Sequence, residues 1–220
     1  MSQAIRNLEP KALWNFFADI NAVPRASKKE ERIVAHMVAF GEKLGLETKV
    51  DGAQNVLIKK VATQGMEHRK TLVLQAHLDM VHQKNNSSNF DFDTQGIVMQ
   101  ISNGWVHAKE TTLGADNGIG VAAIMSVLAS NNIAHPSIEA LFTIDEETGM
   151  TGAMGLEPDY LNGEILLNLD TEDDDEISIG CAGGIDITAT GTYKEEPTPN
   201  ESMAFQISVN GLQGGHSGMD

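Results

Sequence analysis

Four short segments of this chain end or turn on residues able to hold a metal ion or move a proton. The apolar runs Thr71–Ala76, Ile138–Ile144 and Ile165–Leu169 lead into His77-Leu78-Asp79, Asp145-Glu146-Glu147 and Asp170, respectively. A fourth segment, Gly114-Ala115-Asp116-Asn117-Gly118, places Asp116 in a tight turn just before an apolar helix. Runs of this length and composition read as buried strands. In α/β sheets the chemistry collects beyond the carboxyl ends of strands. Three strands delivering His, Glu and Asp to that end are read as one site.

Each residue also has a plainer reading. His77 alone fits a hydrogen-bonded interior histidine, Asp116-Asn117-Gly118 fits a simple turn, and Glu146-Glu147 fits a solvated pair. Asp79, two residues beyond His77, alters the first of these, because a metal-bound imidazole usually gives its other N–H to a carboxylate. Taken together, one imidazole and several carboxylates describe a hard-to-borderline cation site suited to zinc, manganese or cobalt. A closed structural zinc site would favour thiolates, and Cys181 is the sole cysteine. Several carboxylates with one glutamate to spare suggest a two-metal hydrolytic centre. The acidic run from Asp170 to Glu176 lacks the glycine at position six and the glutamate at position twelve of an EF-hand, so Asp173, Asp174 and Asp175 are read as solvated. Gly118 and Gly120 have no phosphate-loop lysine beside them and do not mark a nucleotide site. Cys181 and the 10 methionines read as packing.

The elements that must position these residues follow from periodicity. Leu13, Phe16, Phe17 and Ile20 predict a helix over Pro10–Ile20, and Ile33, Met37, Phe40 and Leu44 predict another over Lys28–Leu44, stopped at Gly45. Glu47–Val50 and Asn55–Lys60 flank Asp51-Gly52, and Val98–Ser102 and Trp105–Ala108 flank Asn103-Gly104; both read as hairpins. Ile119–Ala129 reads as an apolar helix and His82–Asp93 as loop. Strands alternating with helices predict an α/β sheet covered on both faces. Beyond Gly184 the texture changes: Ile185–Tyr193 and Met203–Asn210 alternate like exposed-face strands around the polar stretch Lys194–Glu201, which predicts a domain boundary there.

Composition narrows the partners. A net charge of −16 argues against nucleic acid and anionic membrane, both of which call for clustered Lys and Arg. No apolar run approaches the roughly 20 residues that span a bilayer. The start leads into no signal-peptide core, and a single cysteine permits no internal disulfide. A reducing, cytoplasmic setting is the expectation.

The segments Leu74–Val81, Thr111–Gly120, Glu146–Met150, Gly180–Asp186 and Gly214–Gly218 together resemble the aminoacyl-histidine dipeptidase (peptidase D) family, within the zinc aminoacylase and carboxypeptidase superfamily. The likeness runs from the first helix to the last residue. It implies a catalytic domain over 1–184 with helices on both faces of a mixed sheet, then the beginning of an α+β lid domain over 185–220. By resemblance, Asp116 bridges two zinc ions, His77 and Asp170 complete the ligands of one, and Glu147 binds the other. Mn2+ or Co2+ are the expected substitutes. Glu146 is the implied general base, Asp79 orients His77, and His216 in the lid stabilises the oxyanion. The implied substrate is a dipeptide, Xaa-His and carnosine-like ones included, and the implied assembly is a homodimer through the lid. Sister activities with the same ligands, N-acyl amino acid deacylation and carboxypeptidase cleavage, stay open. The family's second zinc takes a further His from a later segment, so the chain is expected to be truncated and, alone, catalytically incomplete. His82, at a position where close relatives often carry Pro, is not promoted to a ligand, and His36, His68, His107 and His135 fall outside every matching motif.

Overall fold

A computed structural model describes residues 3–171, 175–180, 183, 185 and 187–211 of the chain. It forms two units, Met1–Asp175 and Glu176–Asp220.

In the first unit, a four-residue helix α1 (Gln3–Arg6) precedes α2 (Lys11–Ile20) and α3 (Glu31–Lys43). Helix α2 buries Phe17, Ala18 and Ile20, and α3 buries Ile33, Val34, Met37 and Gly41, the apolar stripes expected from the 3.6-residue period. Helix α3 begins three residues later than the periodicity predicts. Lys28 has φ of +66°, a left-handed conformation no helix can incorporate, and the Glu30 carboxylate accepts the Lys28 N–H.

Five strands form one mixed sheet in the order β1-β2-β6-β3-β7. Strands β1 (Glu47–Val50) and β2 (Val56–Lys60) are antiparallel. Their turn is tied by Asp51, whose Oδ1 accepts the N–H groups of Ala53 and Asn55. Strand β6 (Ile138–Thr143) is central and buried at every position, as its uninterrupted apolar character requires. It runs antiparallel to β2 and parallel to β3 (Leu72–His77), which in turn runs parallel to β7 (Ile165–Asn168). The expectation of a buried strand fails for β7, which is exposed at all four residues because it lies at the sheet edge with one neighbour among the described residues. A separate hairpin pairs β4 (Met99–Ser102) with β5 (Trp105–Ala108). Asn103 and Gly104 both take positive φ at its turn, which is why Asn-Gly stands there.

Helix α4 (Ala115–Ala129) carries no charge after Asp116 and is buried along most of its length. Asp116 and Asn117 are non-helical, so its regular part starts at Gly118. A Cβ on Gly118 would lie 2.8 Å from Arg25 Nη2 and 2.9 Å from Phe17 Cε2, so glycine is what lets α4 close onto α2. The main core lies between these helices and the sheet face bearing Val56, Ile58, Leu74, Ala76, Ile138, Ala140 and Phe142. On the opposite face Leu57, Val73 and Leu141 pack against Leu156, Tyr160 and Leu161, just beyond the single-turn α5 (Thr151–Met154).

In the second unit the described residues of the two anticipated strands, 185–193 and 203–210, form no strand. Ile187, Tyr193, Phe205, Ile207 and Val209 are all exposed. An extended segment becomes a strand only when its N–H and C=O groups find a ladder partner, and no such pairing occurs among the described residues of this unit. Alternation alone was too weak a signal. Pro199 carbonyl accepts the Ser202 N–H and hydroxyl in a turn within the polar stretch between them.

Candidate metal centre

The sheet brings three strand ends together. Strands β3, β6 and β7 are parallel neighbours, so their carboxyl ends lie on one side, and α4 adds its first turn beside them. His77, the last residue of β3, is 1% exposed at its side chain. Its Nε2 lies 2.9 Å from Asp116 Oδ1, 3.7 Å from Asp170 Oδ2 and 4.0 Å from Glu146 Oε2. Glu147 completes the cluster. The potential ligand atoms fall into two groups that share the imidazole, His77/Glu146/Asp170 and His77/Asp116/Glu147, each within 4.8 Å.

Behind His77 the support is fully buried. His77 Nδ1 donates to Asp79 Oδ1 at 3.2 Å, and Asp79 also accepts the Ser27 hydroxyl at 2.8 Å and the N–H groups of Glu146 and Glu147. One carboxylate thus fixes both the imidazole and the backbone of the paired glutamates. Arg25, 2% exposed, donates from Nη1 to the carbonyls of Leu78 and Asp79 and from Nη2 to Asn21 Oδ1 and the Gly114 carbonyl. It joins the end of α2 to the β3 terminus and to the turn carrying Asp116.

The electrostatics are those of a site short of positive charge. Burial would lower the His77 imidazole, but hydrogen bonds to Asp116 and Asp79 and the charge of Asp170 lift it to about 10. Burial raises Asp170 to about 6, the nearby His77 opposing this and the charges of Asp116 and Glu146 adding to it. Burial and Asp116 likewise raise Glu147. Asp79 is held down to about 2: burial would raise it, but His77, the Glu146 N–H and Ser27 more than offset that. Carboxylates crowded around one oriented imidazole, with half-buried Asp116, Glu146 and Asp170 open on one side, fit a divalent cation in donor type and number.

His77, Asp79, Asp116, Glu146, Glu147 and Asp170 are therefore brought together. The geometry admits either glutamate as a ligand. His216 and Cys181 lie outside the described residues, as do Asp173 and Asp174. His82 stacks edge-on to Phe92 in its loop. Among the described residues, none of His36, His68, His107 and His135 joins a three-ligand group. The sequence reading missed Arg25, Ser27, Glu30 and Asn55, all buried polar groups. The one local signal was Pro24-Arg25-Ala26-Ser27 interrupting two amphipathic helices; Ala26 bridges to Met80 and thereby aligns that segment with the end of β3.

Comparison with known proteins bears on this site. The sequence pattern of Peptidase family M28 matches residues 55–197. Cytosol non-specific dipeptidase of Escherichia coli (strain K12) is 46% identical over 214 residues, which is 97% of this chain and 44% of that protein. The crystal structure of aminoacylhistidine dipeptidase from Vibrio alginolyticus superposes with a TM-score of 0.76 at 51% identity, covering 77% of this chain and 35% of the other. A tripeptidase from Staphylococcus aureus shares the fold at 23% identity, with a TM-score of 0.64 over 76% of this chain and 45% of its own. The chain spans less than half the length of the curated relatives it matches.

Proposed function

The chain belongs to Peptidase family M28, and from that premise we propose that its cluster is the greater part of a two-zinc dipeptidase centre. The observation carrying this reading is the pair of ligand groups that share His77 at the carboxyl ends of β3, β6 and β7. Two divalent cations in such a site supply Lewis acidity and a hydroxide nucleophile near neutral pH. His77, Asp116, Glu147 and Asp170 hold them, zinc natively and Mn2+ or Co2+ as substitutes. Asp79 keeps His77 in the tautomer that leaves Nε2 free to bind. Glu146 takes the proton of the attacking water and returns it to the leaving amine. His216 contributes to the oxyanion.

The names of the E. coli and V. alginolyticus relatives support dipeptides as the substrate class, with Xaa-His ones among them, and carnosine-like substrates belong to the same proposal. The word cytosol in the former supports a cytoplasmic location, and no helix among the described residues is long and apolar enough to cross a membrane. A homodimer through the lid that begins with residues 185–220 belongs to the same reading. The test is a side-by-side assay of a His dipeptide, a non-His dipeptide and an N-acetyl amino acid with zinc supplied. In the intact enzyme dipeptide turnover is expected; cleavage of the N-acetyl compound alone would reassign the site to a deacylase.

A further inference from the structure

Four consecutive backbone N–H groups on the turn that carries the paired glutamates are received by side chains from elsewhere in the fold. Ile144 donates to Asn55 Oδ1 at 3.3 Å, Asp145 to Glu30 Oε1 at 3.0 Å, Glu146 to Asp79 Oδ1 at 3.0 Å and Glu147 to Asp79 Oδ2 at 3.2 Å. Asp79 already belongs to the cluster and Asn55 leads into β2. Glu30, just ahead of α3, belongs to neither the ligand set nor any sequence motif.

Its position is a costly one. Glu30 is 5% exposed and a carboxylate oxygen of it lies within 4.8 Å of oxygens of Asp79 and Asp145, themselves 0% and 1% exposed. Three buried acids side by side are unfavourable, and an apolar residue would avoid that cost. The trio is not a cation site, because its oxygens already serve the protein. Asp145 takes the hydroxyls of Thr148 and Thr151, and Asp79 is occupied by His77, Ser27 and two backbone N–H groups. What an apolar residue could not supply is an acceptor. Glu30 Oε1 receives the N–H of Lys28 at 2.9 Å and that of Asp145, and these two residues have φ of +66° and +51°. Both are non-glycine residues in the left-handed region, a conformation that persists only when its surroundings hold it.

We propose that Glu30 is a positioning residue whose Oε1 pins Asp145 in its left-handed conformation and so aims Glu146 and Glu147 into the metal cluster. This rests on the cluster being the two-metal centre of the proposed function. The role asks for an oxygen at the right reach and not for a charge, which separates three substitutions in the full chain. Glu30→Gln keeps the acceptor and the length, Glu30→Asp keeps the charge but is one methylene short, and Glu30→Ala keeps neither.

Two readouts are needed: Co2+ affinity from the visible absorption of the bound ion, and hydrogen exchange of the Asp145, Glu146 and Glu147 amides without metal. Glu30→Gln is expected to match the wild type within about threefold in both. Glu30→Asp and Glu30→Ala are expected to bind Co2+ about 10–100-fold more weakly and to exchange the Asp145 amide about tenfold faster. In the intact enzyme the two should lower kcat for a dipeptide substrate with KM little changed. A Gln variant as impaired as Ala would overturn the proposal, as would an Ala variant equal to wild type. Loss of cooperative melting in all three variants would also overturn it, since Glu30 would then serve the core at large. If the wild-type chain takes up no Co2+, the metal-centre reading fails, and the exchange rates alone decide for or against the brace.

Discussion

Asp79 receives donors on both oxygens: His77 Nδ1 and the Glu146 N–H on Oδ1, and Ser27 Oγ and the Glu147 N–H on Oδ2. An asparagine side chain in its place would turn a donor toward one of those pairs and leave buried N–H or O–H groups facing it. Asp79→Asn is therefore expected to cost about 1–3 kcal/mol of stability and to weaken zinc binding about 10–100-fold. A thermal melt and a competition titration against a zinc-binding dye check the two effects, and unchanged affinity would mean Asp79 does not orient His77. Glu146 calls for the opposite result. Its half-buried carboxylate sits 4.0 Å from His77 Nε2 on the open side of the cluster, the side on which the proposed function places the attacking water. In the intact enzyme Glu146→Gln is expected to keep its metal content, measured by elemental analysis, while kcat falls by about 10²–10⁴. Near-normal turnover would remove Glu146 from proton transfer, and metal loss would make it a ligand.

At the scale of elements, the parallel set β6-β3-β7 aligns the ligands, and one acid fixes the approach to its edge. Glu139 on β6 is 3% exposed and accepts from Lys59 Nζ on β2 at 2.7 Å, from Asn162 Nδ2, and from the N–H groups of Asn162 and Gly163 just before β7. Burial would raise its carboxyl, but those four donors bring it down to about 2. A carboxyl depressed in the folded state stabilises fully above its ordinary value of 4.5 and loses that contribution as pH falls toward about 2. Glu139→Gln is thus expected to be about 2–3 kcal/mol less stable at pH 7, with the gap in Tm narrowing below pH 4.5. A gap constant from about pH 7 to about pH 3 would show that the charge plays no part. None of this was legible in the sequence, because Glu139, Lys59 and Asn162 are joined by strand register and a loop, not by spacing. The strands themselves were legible: an apolar run of β-formers marks a strand and a ligand directly after it marks the strand end. Burial at every position followed only for the central β6, while the edge strand β7 is exposed at all four positions. The same local logic failed where partners are distant. Glu30 and Ser27 look like ordinary residues around a helix start, and residues 185–193 and 203–210 alternate without a neighbour to pair with among the described residues.

For the molecule as a whole, the question is how far folding and metal binding are one equilibrium. The chain carries a net charge of −16, and Asp79, Asp116, Glu146, Glu147 and Asp170 converge on the single imidazole of His77. Without a cation the His77 proton and the buried Arg25 guanidinium are what offset the converging carboxylates. A divalent ion bound only by the folded chain must then raise its stability by mass action. At a hundredfold excess over Kd one site contributes about 2.7 kcal/mol, which for a domain of this size corresponds to roughly 5–11 °C in Tm. Zinc is expected to produce a saturable shift of that order in the wild-type chain and none in His77→Ala, each compared with its own metal-free melt. A shift with the same size and concentration dependence for magnesium would indicate general screening of an acidic surface, because Mg2+ asks for octahedral oxygen ligands and gains little from an imidazole. Persistence of the zinc shift in His77→Ala would point the same way. Loss of the shift with His77 would place folding and metal binding at the same strand ends.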